Sequence, residues 1–151
     1  MKMGVFLAGL SLVILSVGRA LTEEKTTENG SPKGGEMVFA QDFGFYIDKY
    51  EVSNAEYAEF LNAEGNREEQ GVPWLFVESS QALVEKTAEG FVPKKGFERH
   101  PAVEVSAHGA RAYCRWKGKR LPLDTEWRQA CQGKQELIFP WGNAFETGRA
   151  N

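Results

Sequence analysis

The stretch SNAEYAEFLNAEG, residues 53–65, most narrows what this chain can become. Ser53 stands three residues before Glu56, so hydroxyl and carboxylate can each satisfy a free backbone N–H at a helix start. Tyr57, Phe60 and Leu61 then recur on one face, and Gly65 stops the run. The helix is short, and its apolar face needs a cover from elsewhere in the chain. The same punctuation returns twice. Ser106 can cap a helix in which Ala110, Tyr113 and Cys114 share a face before Gly118. Trp127, Ala130 and Cys131 repeat that spacing before Gly133, so both cysteines are expected to face inward. Between the helices, VFAQDFGFYIDKYEV suggests two short strand segments around a turn at Asp42 to Gly44. PAVEVS alternates as a brief strand, while VPWLFVESS and EGFVPKKG are extended pieces of an irregular stretch from Asn66 to Gly96. Short helices among short strands predict a mixed α+β domain. With 151 residues, 42% of them apolar, one core is expected.

The chain start reads differently. Lys2 is followed by an apolar run from Val5 to Val17, with Gly18 and Ala20 at the small-residue positions before a cut. Residues 1–20 therefore read as a secretory signal with cleavage near Ala20, and the mature protein is expected to be secreted or periplasmic. The thirteen-residue run is shorter than the roughly 20 that span a bilayer as a helix, so no stable membrane anchor is expected. Residues 21–36, LTEEKTTENGSPKGGE, hold one apolar side chain and read as a polar linker; the folded part is expected over 37–151. The formal net charge of -3 offers no basic field, and the cluster of Lys117, Lys119 and Arg120 is too small to make one. Nucleic acid is thereby excluded as an expected partner. An oxidising compartment permits a disulfide, so Cys114 and Cys131 read equally well as a bridge or as two buried apolar thiols.

A search for chemistry returns little. His100 and His108 stand eight apart with no cysteine near either in sequence, which is not a metal-binding pattern. His100 precedes Pro101 and reads as a loop residue, while His108 falls in the first turn of its helix and is expected to be solvated. No local signature supports a Cys–His nucleophile. Asp48, Glu51, Asp124 and Glu126 supply carboxylates, but such groups more often cap helices or pair with cations than act as acid and base. Tyr46, Trp74, Phe91, Phe97, Trp116, Trp127 and Trp141 are expected to build the core rather than a sugar-stacking platform.

Three longer segments carry a resemblance. FYIDKYEVSNAEYAEFL at 45–61, HPAVEVSAHGARAYCRWKGKRLPLDTEW at 100–127 and FPWGN at 139–143 are similar, in order and spacing, to the formylglycine-generating enzyme family, also called sulfatase-modifying factor. The matching positions are Asp48, Glu51, Asn54, Tyr57, Trp116, Arg120, Pro122, Glu126, Trp127, Trp141, Gly142 and Asn143, and the resemblance gives them structural roles. It implies a loop-rich α+β domain with a C-type-lectin-like fold. It also implies a function: complete catalytic members use Cu(I) and oxygen to oxidise a sulfatase cysteine, in a C-x-P-x-R context, to formylglycine. Other members bind proteins or sugars, so the partners implied are a sulfatase-type substrate or a protein or glycan ligand.

The departures qualify that expectation. Ala107 and Leu123-Asp124 stand where the family usually has Trp and Thr-Glu. Leucine offers no side-chain oxygen, so Asp124 is expected to take over as cap at a cost of about 1 kcal/mol. The copper-binding cysteine pair of catalytic members lies in the second half of the domain, with GNVWEW and R-G-G-S-W type segments absent here. The resemblance thus covers the N-terminal part of the domain, no catalytic residue is assigned, and no cofactor is expected in this chain, although complete members use calcium and copper. Asn151 resembles the asparagine that calcium-binding members use as a ligand, but alone it cannot form the oxygen cage that calcium prefers. In secreted relatives the equivalents of Cys114 and Cys131 pair with cysteines of that second half. If the chain is a truncated remnant, Phe139 and Trp141 are expected to be exposed in a sticky patch.

Overall fold

The computed structural model describes residues 36–149 and the backbone pairing of Val17–Gly18. The described chain is α+β, with three helices and short antiparallel strands. It gathers into two compact units: one over Glu51–Gly118, the other from the segments ending at Tyr50 and beginning at Lys119. The predicted secretory signal and the linker lie outside the described residues, apart from that pairing and Glu36.

In the first unit, α1 (Asn54–Glu64) carries the expected capping box, with Ser53 Oγ accepting from Glu56 N–H and the Glu56 carboxylate taking Ser53 N–H at 2.9 Å. Gly65 closes it with φ +80°, a conformation that favours glycine. α2 (Ala107–Trp116) starts at Ser106, whose hydroxyl accepts from Gly109 N–H at 3.1 Å. The two helices build the core. Tyr57, Phe60, Leu61, Ala110, Tyr113 and Cys114 are all at most 2% exposed. Their rings interlock: Tyr57 stacks on Tyr113 at 5.7 Å, and Phe60 stacks on Trp74 at 5.1 Å and meets Tyr113 edge-on. Gly109 permits this approach, since a Cβ there would collide with the Trp74 carbonyl oxygen and the Tyr57 hydroxyl.

Two hairpins complete the unit: β4 (Glu68–Glu69) with β5 (Val72–Pro73), and β6 (Val84–Thr87) with β7 (Gly90–Pro93). Asn62 of α1 holds the second, its side-chain amide donating to Phe91 O and accepting from Phe91 N–H, each at 2.8 Å. The PAVEVS segment is not the strand its alternation predicts. It makes single bridges, Pro101 to Ser53 and Val105 to Leu75, and between them Glu104 adopts φ +61°, which no ladder tolerates.

In the second unit, β1 (Val17–Gly18) and β2 (Met37–Ala40) flank β3 (Phe45–Asp48), with the expected turn before Phe45. Phe45 and Ile47 bury against Ala40 and Phe43. α3 (Asp124–Gln132) departs from expectation: none of its residues is buried, Trp127 is 42% exposed and Cys131 only half-buried. Its amphipathic spacing is present without a buried face among the described residues.

Candidate functional site

Three places in the described structure hold groups capable of chemistry. The first is in the second unit. Lys119 Nζ lies 2.5 Å from Asp48 Oδ1, with side-chain exposures of 11% and 6%. Next to it in sequence, Arg120 forks onto Glu126 at 2.7 and 2.6 Å. Glu126 also accepts the N–H of Leu123, the residue at the N-cap, at 2.7 Å. Asp124 therefore does not take over as cap; it sits inside the first turn and pairs with Arg128 at 3.0 Å. Glu126 thus serves the Leu123 N–H alone, the helix N–H groups that a hydroxyl at Leu123 would cap receive no side-chain oxygen from it, and Arg120 holds the Glu126 carboxyl below the usual range. These groups are spent on one another, as structural carboxylates should be.

The remaining signature residues have structural surroundings. Asn54 is buried, donating from Nδ2 to Phe97 O at 2.9 Å, and Tyr57 donates to Trp74 O at 3.2 Å. Burial drives the Tyr57 phenol far above its ordinary value. Glu51 is exposed and Pro122 half-buried. Trp141 donates from Nε1 to Ala144 O, Gly142 bridges to Phe139, and Asn143 Oδ1 accepts from Ile138 N–H at 2.9 Å. Phe139 and Trp141 are half-buried and stacked on each other at 5.2 Å. Of the seven aromatics assigned to the core, Trp74 and Phe91 are buried; Tyr46, Phe97 and Trp127 are exposed, and Trp116 and Trp141 fall between.

The second place is the thiols. Cys114 is fully buried in the first unit, and Cys131 in the second is a free thiol whose pKa burial pushes up. Among the described residues, no three His, Cys, Asp or Glu side chains converge as metal ligands. Asn151, the candidate calcium ligand, lies outside the described residues.

The third place was not foreseen. A cleft of about 400 Å³ in the first unit is floored by Phe60, Trp74, Ala112 and Trp116 and rimmed by Glu64, Arg67, Glu69 and Arg115. Glu69, on β4, accepts from Trp74 Nε1 at 3.0 Å and pairs with His108 Nδ1 at 3.2 Å. His108 is therefore not solvated as expected; its side chain is 23% exposed. The Trp74 indole N–H, with His108 and Arg115 beside it, holds the Glu69 carboxyl below its ordinary range. Arg67 donates to both the carboxylate and the carbonyl of Glu64 at 2.8 Å and lies over the Trp74 ring. Arg115, 64% exposed, comes no nearer than 3.8 Å to Glu69. Arg67 and Glu69 fall within the irregular stretch from Asn66 to Gly96, where no sequence period linked them to α2.

Known proteins place these features in a family. The profile of the sulfatase-modifying factor enzyme 1-like domain matches residues 11–151, beginning inside the predicted leader. The chain is 35% identical over 129 residues to a formylglycine-generating enzyme of Mus musculus, covering 68% of this chain and 35% of that protein. It is 35% identical over 133 residues to "Inactive C-alpha-formylglycine-generating enzyme 2" of Bos taurus, covering 71% of this chain and 44% of that protein. It is 30% identical over 109 residues to "Serine/threonine-protein kinase Pkn1" of Chlamydia trachomatis, covering 72% and 18%. The chain spans about a third of the length of the formylglycine-generating enzymes it matches. No solved structure matches it. The chain belongs to the sulfatase-modifying factor enzyme 1-like domain family.

Proposed function

We propose that this chain is an exported family member, with a C-type-lectin-like arrangement, whose described residues form a recognition framework and perform no copper chemistry of their own. One observation carries the reading: no metal-binding group of His, Cys, Asp or Glu side chains converges among the described residues. A relative named as inactive, as similar as those named as enzymes, supports separating family membership from catalysis. The partner class is a protein or glycan presented outside the cytoplasm. No helix among the described residues is long and apolar enough to cross a membrane.

A second reading rests on the relatives named formylglycine-generating enzyme. In it, a protein containing this segment oxidises a sulfatase cysteine, with copper and calcium ligands supplied outside the described residues. One assay separates the two. The chain is incubated with a C-x-P-x-R peptide, copper and oxygen, and aldehyde is measured by hydrazide capture. The first reading expects none at any copper level; aldehyde formed in proportion to the chain contradicts it.

A further inference from the structure

We infer that the cleft between α1, the β4–β5 hairpin and α2 binds an aromatic ring carrying or adjoining a carboxylate. The inference deepens the recognition reading by naming the class of ligand. It stands on the difference between what the rim has used and what it has left. Most acceptors are engaged: both oxygens of Glu69 by Trp74 and His108, and one oxygen of Glu64 by Arg67. The donors are in excess, because Arg115 makes no hydrogen bond among the described residues and keeps its guanidinium exposed. A ligand entering beside Arg115 meets unused N–H groups and supplies the acceptor. Guanidinium offers a planar fork that matches a carboxylate with two parallel hydrogen bonds.

The floor sets the other half of the ligand. Half-buried Trp116 presents most of the apolar surface, backed by the buried Phe60, Trp74 and Ala112, and about 400 Å³ is room for one aromatic side chain with its backbone, not for a folded segment. Arginine also stacks on aromatic rings, as Arg67 already does over Trp74, so Arg115 can cover a ring below while binding its carboxylate. The floor is preformed: Phe60 is 1% exposed and Trp74 6%, both held in the ring core, so little ordering accompanies binding.

The test titrates the full chain with N-acetylphenylalanine, N-acetylphenylalaninamide, acetate and inorganic phosphate, following indole N–H resonances by NMR. N-acetylphenylalanine is expected to shift the Trp74 and Trp116 signals saturably at about millimolar affinity, as suits so small a ligand. The neutral amide, acetate and phosphate should each bind about tenfold more weakly or less, having one half of the recognised chemistry. Arg115→Gln, at an exposed position that leaves the core untouched, should weaken N-acetylphenylalanine by about tenfold. Two peptides identify the source: one ending in a free Phe carboxylate, one with an internal Glu-Phe pair and amidated ends; the better binder names it. Equal binding of the neutral amide, no shift with N-acetylphenylalanine, or an unchanged Arg115→Gln titration would overturn the inference. Aldehyde production in the peptide assay would instead sink the recognition reading and leave the titration standing.

Discussion

The α1–α2 pair and α3 share the same sequence grammar and end in opposite situations. Both have apolar residues three and four apart and a glycine stop. Yet α1 and α2 bury ten residues between them, whereas α3 buries none. The difference teaches what periodicity can and cannot say. A stripe of Trp127, Ala130 and Cys131 states that a helix is amphipathic; whether it is covered depends on a partner, and local spacing is silent about partners. In the first unit the partner is visible in the rings of Tyr57, Phe60, Trp74 and Tyr113, which close on each other across three segments.

Substitutions can break or sharpen this contrast. The largest effect is expected at Phe60→Ala, which empties the centre of the ring core and should cost about 3–5 kcal/mol in urea denaturation. A loss near that of an exposed site would dissolve the comparison. Lys119→Met should come next, at about 3 kcal/mol, because it takes the ammonium from the buried carboxylate of Asp48. The same melts report it, and Asp48→Asn with Lys119→Met should recover part of the loss.

Glu126→Gln should cost about 1 kcal/mol, since Arg120 is half exposed and the charged fork is screened. Its signature is in the pH dependence. Glu126 is held below its ordinary pKa in the folded chain, so its contribution is complete above the usual carboxylate range near pH 4 to 5. It fades as pH falls through the lowered folded value, so Gln should flatten the acid limb of stability and leave the neutral region offset but parallel. Trp127→Ala closes the series, with an expected loss of no more than about 1 kcal/mol despite the loss of an indole, because that residue is 42% exposed.

Legibility in the sequence followed the range of the interaction. The caps at Ser53 and Ser106, the stops at Gly65 and Gly133, and the strand pair around the turn before Phe45 depend on neighbours within a few residues, and they are where the pattern predicts. PAVEVS failed because one residue, Glu104, turns its backbone to positive φ and divides the segment between two partners. The β6 strand carries VEKT, with Val84 as its one buried side chain, too little alternation to read. Leu123 holds the N-cap without a side-chain oxygen, and Glu126, held by Arg120, serves only the Leu123 N–H, a contact that the spacing of Leu123 and Glu126 alone did not announce. The cleft was least legible: its floor and rim come from α1, the following hairpin and α2, and only the fold sets Arg115 beside Glu69.

The recognition framework stands or falls on the rigidity of the α1–α2 floor, and native-state hydrogen exchange measures it most directly. The central amides of α1 and α2 are predicted to exchange only with global unfolding, while those of α3 exchange at least about a hundredfold faster, by local opening. Equal protection of α3 and α1 would contradict the account.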